Sequence, residues 1–218
     1  MITTYILTGA AVILLVGIII YIFWLSEKKR SQQLSAIAAS LKLNFSHKDN
    51  SALFDRMNKL HLFSVGYSKK IKNLMEGEAN NAELAIFDYQ YTTGGGQSSH
   101  TYRQSVFCIW SPKLYLPQFS MRPEGIFHKI GGAFGYQDID FDSHPEFSKK
   151  YLLRGDNEAS IRQLFNNNVL TNIESQQKIS IEGGGNQLVF YKKRIKPDDI
   201  ESFMDEGFRF FKLFLEAT

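Results

Sequence analysis

From Tyr5 to Leu25 the chain reads YILTGAAVILLVGIIIYIFWL, a run without a single charge. At a helical rise of about 1.5 Å per residue, about 20 such residues cross a hydrocarbon layer of about 30 Å. Tyr21, Phe23 and Trp24 close the run, and Glu27-Lys28-Lys29-Arg30 comes directly after it. That is the order in which a spanning helix meets headgroups and then water. A secretory signal would carry basic residues ahead of its apolar run and a small-residue cleavage site behind it. Met1 to Thr4 carry no basic side chain, and Trp24-Leu25-Ser26-Glu27 is no such site. The reading is a retained anchor over residues 5–25 with a short external stub, 1–4. Gly9 and Gly17 lack the four-residue spacing of a close-packed helix dimer.

Lys and Arg directly behind a span favour keeping that side in the cytoplasm. The rest of the chain divides into a basic juxtamembrane helix or neck, 26–46, and one cytoplasmic domain, 47–218. The formal charge of +3 hides an uneven distribution. Residues 26–75 hold ten Lys or Arg against three Asp or Glu, whereas residues 76–218 hold fifteen against nineteen. Lys28, Lys29 and Arg30 are the candidate contacts to an anionic lipid surface, where each basic side chain gains about 1 kcal/mol. Ordinary positive-inside bias and a solvated face account for the same residues. The low total charge and the lack of a recognition motif argue against nucleic acid as partner. Cys108, the single cysteine, can form no internal disulfide and fits a reducing compartment.

Past the anchor, Leu34, Ile37, Ala38 and Leu41 recur at helical spacing, so Ser31 to Leu43 is expected to continue the membrane helix or dock on the domain. Asn50 to Asn58 is a short helical pattern, and His61 to Val65 a short strand. Asn73 to Ala79 and Glu83 to Thr92 read as strands about an Asn80-Asn81 turn. Gly94-Gly95-Gly96 then turns the chain into Thr101 to Trp110. Lys113 to Met121 is a strand that Pro117 makes irregular or places at an edge. Pro123 to Ile130 fits a short helix stopped by Gly131-Gly132. Asp138 to Asp142 alternates as a strand, and Tyr151 to Arg154 is a further strand candidate. Asn157 to Phe165 is helical with Asp156 or Asn157 as cap, and Asn168 to Ser175 extends or follows it. Lys178 to Glu182 and Gln187 to Lys192 form a hairpin about Gly183 to Asn186. Pro197 opens a last helix whose Ile200, Phe203, Met204, Gly207, Phe210, Phe211 and Phe214 share a face. The order defines an α+β fold, an antiparallel sheet with interposed short helices and a C-terminal packing helix, one version of which is a curved sheet of pleckstrin-homology-like shape.

Three runs, FDYQYTTGGG at 87–96, LPQFSMRPEG at 116–125 and DIDFDSHPEFSKKYLLRGD at 138–156, taken with the anchor, resemble a set of bacterial membrane-anchored proteins of unknown function. The resemblance implies a bacterial inner-membrane protein and brings no activity, cofactor or catalytic residue.

The candidate chemistry is sparse. A strand over 138–142 would set Asp138, Asp140 and Asp142 on one face, with His144 and Glu146 nearby, as oxygen and imidazole ligands for a metal. The spacing is not that of an EF-hand, and a solvated strand face explains it equally. His61, His100, His128 and His144 could act as bases toward Ser98, Ser99, Ser105 or Ser111, but no nucleophile elbow is present. Cys108 sits mid-strand, as a small buried hydrophobe would. The glycine triplets at 94–96 and 183–185 lie between strands, without the Lys-Ser/Thr of a phosphate loop. Arg122 and Arg154 could hold an anion or pair with carboxylates. The favoured function is a membrane-tethered cytoplasmic module that binds a membrane-protein partner or the anionic lipid surface, without a cofactor. The alternative is a membrane-tethered metal-dependent hydrolase built on 138–146.

Overall fold

The structure, a computed structural model, describes residues 2–47, 51–79, 81–124 and 138–218. Helix α1 (Ile2–Ser40) runs unbroken through the apolar run and about four turns beyond it. Its first part is left at the surface, the side chains from Val12 to Leu25 being exposed. This helix is long and apolar enough to cross a membrane. From Glu27 onward one stripe turns inward, with Glu27, Arg30, Ser31 and Ile37 partly covered and Leu34 and Ala38 fully buried. Residues 26–40 are therefore the first helix of the folded domain, continuous with the apolar segment.

The remaining elements build one eight-stranded sheet with helices on both faces. The strands are β1 (Asn44–Ser46), β2 (Tyr67–Ala79), β3 (Ala82–Thr93), β4 (His100–Trp110), β5 (Leu116–Pro123), β6 (Tyr151–Gly155), β7 (Ser180–Gly185) and β8 (Gln187–Lys193). Their spatial order is β1-β2-β3-β4-β8-β7-β5-β6, and every neighbouring pair is antiparallel. This is the expected α+β class. Alternation along β3 feeds two cores: Leu84 and Ile86 face one side, Ala85, Phe87, Tyr89 and Tyr91 the other. The first core is covered by the end of α1 and by α4 (Pro145–Lys150), α5 (Glu158–Leu164), α6 (Asn167–Glu174) and α7 (Ile200–Leu215). Helices α2 (Ser51–Met57) and α3 (His61–Ser64) cover the second.

The C-terminal helix behaves as its periodicity demands. Ile200, Phe203, Gly207, Phe210 and Phe214 are buried, and Phe190 packs between Phe203, on which it stacks, and Phe210, to which it is tilted, at centroid distances of 4.9 and 5.0 Å. Gly207 lets the helix backbone settle onto the Phe107 ring; a Cβ there would lie 2.6 Å from two ring carbons. Asn157 caps α5 by accepting from the Ser160 N–H, and Asn166 caps α6 in the same way. The Pro117 irregularity is a register shift between Leu116 and Phe119.

Three local expectations are corrected. His61 to Val65 is no strand: His61–Ser64 is a helical turn, because the Glu182 carboxylate accepts the Leu62 N–H from across the core. Asp138 to Asp142 alternates in burial but pairs as no strand. One backbone bond joins Ile139 to Leu153, and the Asp138 carboxylate takes the Leu153 N–H that a ladder would have used. Gly183 and Gly184 are not the turn but strand, with the reversal at Gly185 and Asn186. A side chain at Gly183 would strike Phe119 and Leu116, and one at Gly184 would strike Gln118, so the glycines let β5 approach closely. The expected helix from Pro123 to Ile130, with its stop at Gly131-Gly132, lies outside the described residues after Glu124, as does His128.

Candidate functional site

The densest polar constellation lies where α1 leaves its apolar segment and meets the sheet. Asp88, alone as a carboxylate in the buried middle of β3, is its centre. Arg30 on α1 holds both Asp88 oxygens, Nε to Oδ2 at 2.8 Å and Nη2 to Oδ1 at 2.7 Å, and donates through Nη1 to the Ile195 carbonyl at 2.7 Å. Arg194, just past β8, reaches Asp88 at 3.2 Å and grips Glu27 of α1 with bonds of 2.6 and 2.9 Å. Burial alone would raise the Asp88 pKa, but the two arginines and the Asn73 amide outweigh it and hold the carboxyl below its ordinary range.

Local backbone geometry puts the remaining partners in place. A bulge in β2 between Lys72 and Met75 sets Asn73 in the left-handed region, φ 52°. Its amide then donates to Asp88 at 2.9 Å while its oxygen accepts from Ser31 of α1 at 2.6 Å. Ser31 also meets His47 at 2.7 Å, and Ser105 closes the far side between Asp88 and the Ile195 N–H. The helix is thus matched to the sheet layer by layer: Leu34 and Ala38 on the apolar core, Arg30 and Glu27 on the ionic row, and Phe23 beneath the Arg103 guanidinium at 5.6 Å. Such a set of directed bonds fixes the height and rotation of the domain on its helix.

A second polar nest lies on the opposite face of the sheet. Glu182 is fully buried in β7 and accepts from Leu62 N–H at 3.1 Å, Tyr191 Oη at 2.7 Å and Ser120 Oγ at 3.4 Å. Burial raises its pKa against the opposing charge of Arg122 and these donors. His61 beside it is driven down to about 3 by burial and then by Arg122 and Arg154. Arg122 and Arg154, candidate anion ligands from the sequence, therefore both act on His61, and Arg122 on Glu182 as well.

The acidic run does not assemble. Asp138 is engaged with the Leu153 N–H, Asp140 and Asp142 are exposed, and Glu146 pairs with Lys149 at 2.9 Å. His144 is buried between Ser143 at 3.1 Å and Thr171 at 3.4 Å. Among the described residues no three His, Cys, Asp or Glu side chains converge as metal ligands. None of the candidate serines 98, 99, 105 and 111 bonds to a candidate histidine among those residues; Ser105 belongs to the Asp88 network and His100 lies edge-on to Tyr102 at 4.4 Å. Cys108 is buried against Met57 at 3.3 Å. Of the three basic candidates, Lys28 and Lys29 are exposed, whereas Arg30 is committed to Asp88. Asp88, Asn73, Arg194 and Glu182 escape a linear reading. The one signal for Asp88 is a charge within the apolar and aromatic run Leu84–Tyr91 of β3.

No known family model matches the sequence, and no curated protein does. The fold is similar to the crystal structure of the mycobacterial trehalose monomycolate transport factor A, TtfA, with a TM-score of 0.63 at 12% identity, covering 86% of this chain and 93% of that one. At that identity the likeness is one of fold.

Proposed function

We propose that this chain is a membrane-mounted interaction module of the bacterial inner membrane. Residues 5–25 cross the bilayer with the N-terminus outside, and the α+β domain stands on the cytoplasmic side and docks a second integral membrane protein. The observation that carries this reading is the unbroken α1, clamped to the sheet by Arg30–Asp88 and Arg194–Glu27. A flexible tether serves recruitment of a soluble partner equally well. A fixed height and azimuth matter only to a partner that shares the frame of the bilayer. The name of TtfA, a transport factor of the same fold, supports a role beside membrane machinery.

The test has two arms on the full chain. Cysteine accessibility in intact cells, at a residue added before the span and one on the exposed 156–158 turn, should report outside and inside respectively. Mild-detergent purification from membranes, after crosslinking, should yield one recurrent integral membrane protein in near-stoichiometric amount. A processed chain in the soluble fraction would sink the anchor, and a chain purified alone would sink the partner.

A further inference from the structure

We infer that the sheet carries its own anionic-lipid site, a cationic row on the face that α1 covers, one step nearer the membrane than Asp88. This inference rests on the membrane-mounted reading above. Register defines the row: Lys70 stands opposite Gln90, Gln90 opposite Arg103, and the Arg194 N–H bonds to the Arg103 carbonyl at 3.0 Å. Lys72 stands opposite Asp88, one pleat further in, and Ile71 between the two lysines is buried in the other core. Lys70, Lys72 and Arg103 line a small cleft together with Glu27, Asp88 and Arg194.

The charge in this cleft separates into two layers. Inside, Arg30 and Arg194 are balanced by Asp88 and Glu27. Outside, Lys70, Lys72 and Arg103 are exposed, joined by Lys28 and Lys29 on the helix. Among the described residues none of these five makes a contact ion pair with a carboxylate. Their level relative to the bilayer is set by two ring contacts. Arg103 lies over Phe23 and the Lys28 ammonium sits 5.0 Å from the Trp24 ring, both aromatics closing the apolar run. Phe23 is about 10 Å below Arg30 along the helix, and Arg103 about 7 Å below Ser105 along β4, so helix and sheet descend to the same depth. An unbalanced cationic row at the level of interfacial aromatics is complementary to lipid phosphate. The occupant is an anionic phospholipid, its phosphate held by Arg103, Lys70 and Lys72.

The experiment uses the full chain in phosphatidylcholine nanodiscs doped with a photoactivatable phosphatidylglycerol or its phosphatidylcholine counterpart. The glycerol lipid should label the 70–72 and 103 segments on the order of 100-fold more than the choline lipid, and the preference should fall as salt rises. Each basic side chain near an anionic surface contributes about fivefold, so Lys70→Gln, Lys72→Gln and Arg103→Gln together should reduce the preference by on the order of 100-fold. Arg103→Gln alone, an exposed change, should reduce it by about fivefold and guards against misfolding of the triple variant. Equal labelling by both lipids, or a preference unchanged in the variants while the chain stays in the disc, overturns the inference. Loss of labelling on adding inorganic phosphate, where chloride at equal ionic strength leaves it, would reassign the row to a soluble anion and overturn it too. Failure of the chain to stay in the disc would strike the membrane-mounted reading instead.

Discussion

The Arg30 guanidinium and the Asp88 carboxylate close two hydrogen bonds, 2.7 and 2.8 Å long, across 58 residues of sequence. The pair is nearly dry, with side-chain exposures of 11% and 9%. A surface pair of this type contributes little, but a desolvated one becomes costly as soon as either partner is removed. The bond therefore acts as a lock of orientation more than as a source of net stability.

Asp88→Ala should accordingly cost about 3–5 kcal/mol, since it strands Arg30 and part of Arg194 in a dry junction. The double change Asp88→Leu with Arg30→Met should recover part of that loss, because an apolar pair replaces the buried ion pair at little cost while Arg194, Asn73 and Ser105 still lose an acceptor. Denaturant titration of the full chain in micelles measures both. Spin labels on α1 and on β4 should show a broadened helix-to-sheet distance in the double variant even where stability returns. An unchanged distance distribution would show that apolar packing by Leu34 and Ala38 alone sets the mount.

Gly207→Ala opposes two effects of known size. Alanine favours a helix interior by about 1 kcal/mol over glycine. Here its methyl would meet the Phe107 ring at 2.6 to 2.8 Å, and overpacking of a filled core costs about 1–3 kcal/mol. Phe107 is fully buried and cannot swing away. The variant should be less stable by up to about 2 kcal/mol in the same titration. Phe107→Leu in the same background should relieve part of the loss.

What the sequence disclosed and what it withheld separate along the distance over which each element is determined. The Leu34–Ile37–Ala38 stripe and the C-terminal helix are set by their own spacing, and both stand as read. Within that helix, the side chain that matters is finer than the period: Phe210 and Phe214 are buried whereas Phe211 is half-exposed, so Phe214→Ala should cost about 3–5 kcal/mol and Phe211→Ala clearly less. The hairpin about Gly94 to Gly96 is local in the same sense. Asp88 draws on Arg30 and on Arg194, 106 residues away, and the α3 turn draws on Glu182, 120 residues away. No period records such partners. The acidic run misled for a related reason: burial alternates as in a strand, yet a carboxylate occupies the N–H of its would-be neighbour.

Acid should loosen the domain as soon as the pH falls below the range in which an unfolded histidine is neutral. An unfolded histidine titrates near about 6.5, whereas folded His61 is held down to about 3 by burial, Arg122 and Arg154. As pH falls through that window the unfolded chain gains a proton that the folded chain refuses, so stability declines. Asp88 acts in the same sense further down: its contribution is complete above the unfolded value of about 3.9 and is lost as pH falls through its lower folded value. Glu182 has the opposite sign. Its raised value gives most below the unfolded value of about 4.3 and loses it as pH rises through the folded one. Thermal unfolding should thus move to lower temperature from pH 7 to pH 5, His61→Gln should flatten the trend, and Glu182→Gln should steepen it. A flat profile in Glu182→Gln, where the opposing contribution is gone, would contradict the burial of His61.

Glu182 also tests whether α3 is held from outside itself. Its carboxylate receives the Leu62 N–H through both oxygens, at 3.1 and 3.2 Å, and the Tyr191 hydroxyl at 2.7 Å. Glu182→Ala leaves both donors buried without that acceptor, at about 1–3 kcal/mol for each group. Glu182→Gln keeps one oxygen facing them and resembles the neutral acid that burial already favours, so its cost should stay below about 1 kcal/mol. A four-residue turn has no helical stability of its own. Hydrogen exchange of residues 60–65 should therefore accelerate in Glu182→Ala by more than global destabilisation explains, with β3 and β4 protected as before relative to the global value. Uniform acceleration across the sheet and α3 alike would show that the turn stands by its apolar contacts, Leu62 and Phe63, and that the carboxylate only fills the space beneath it.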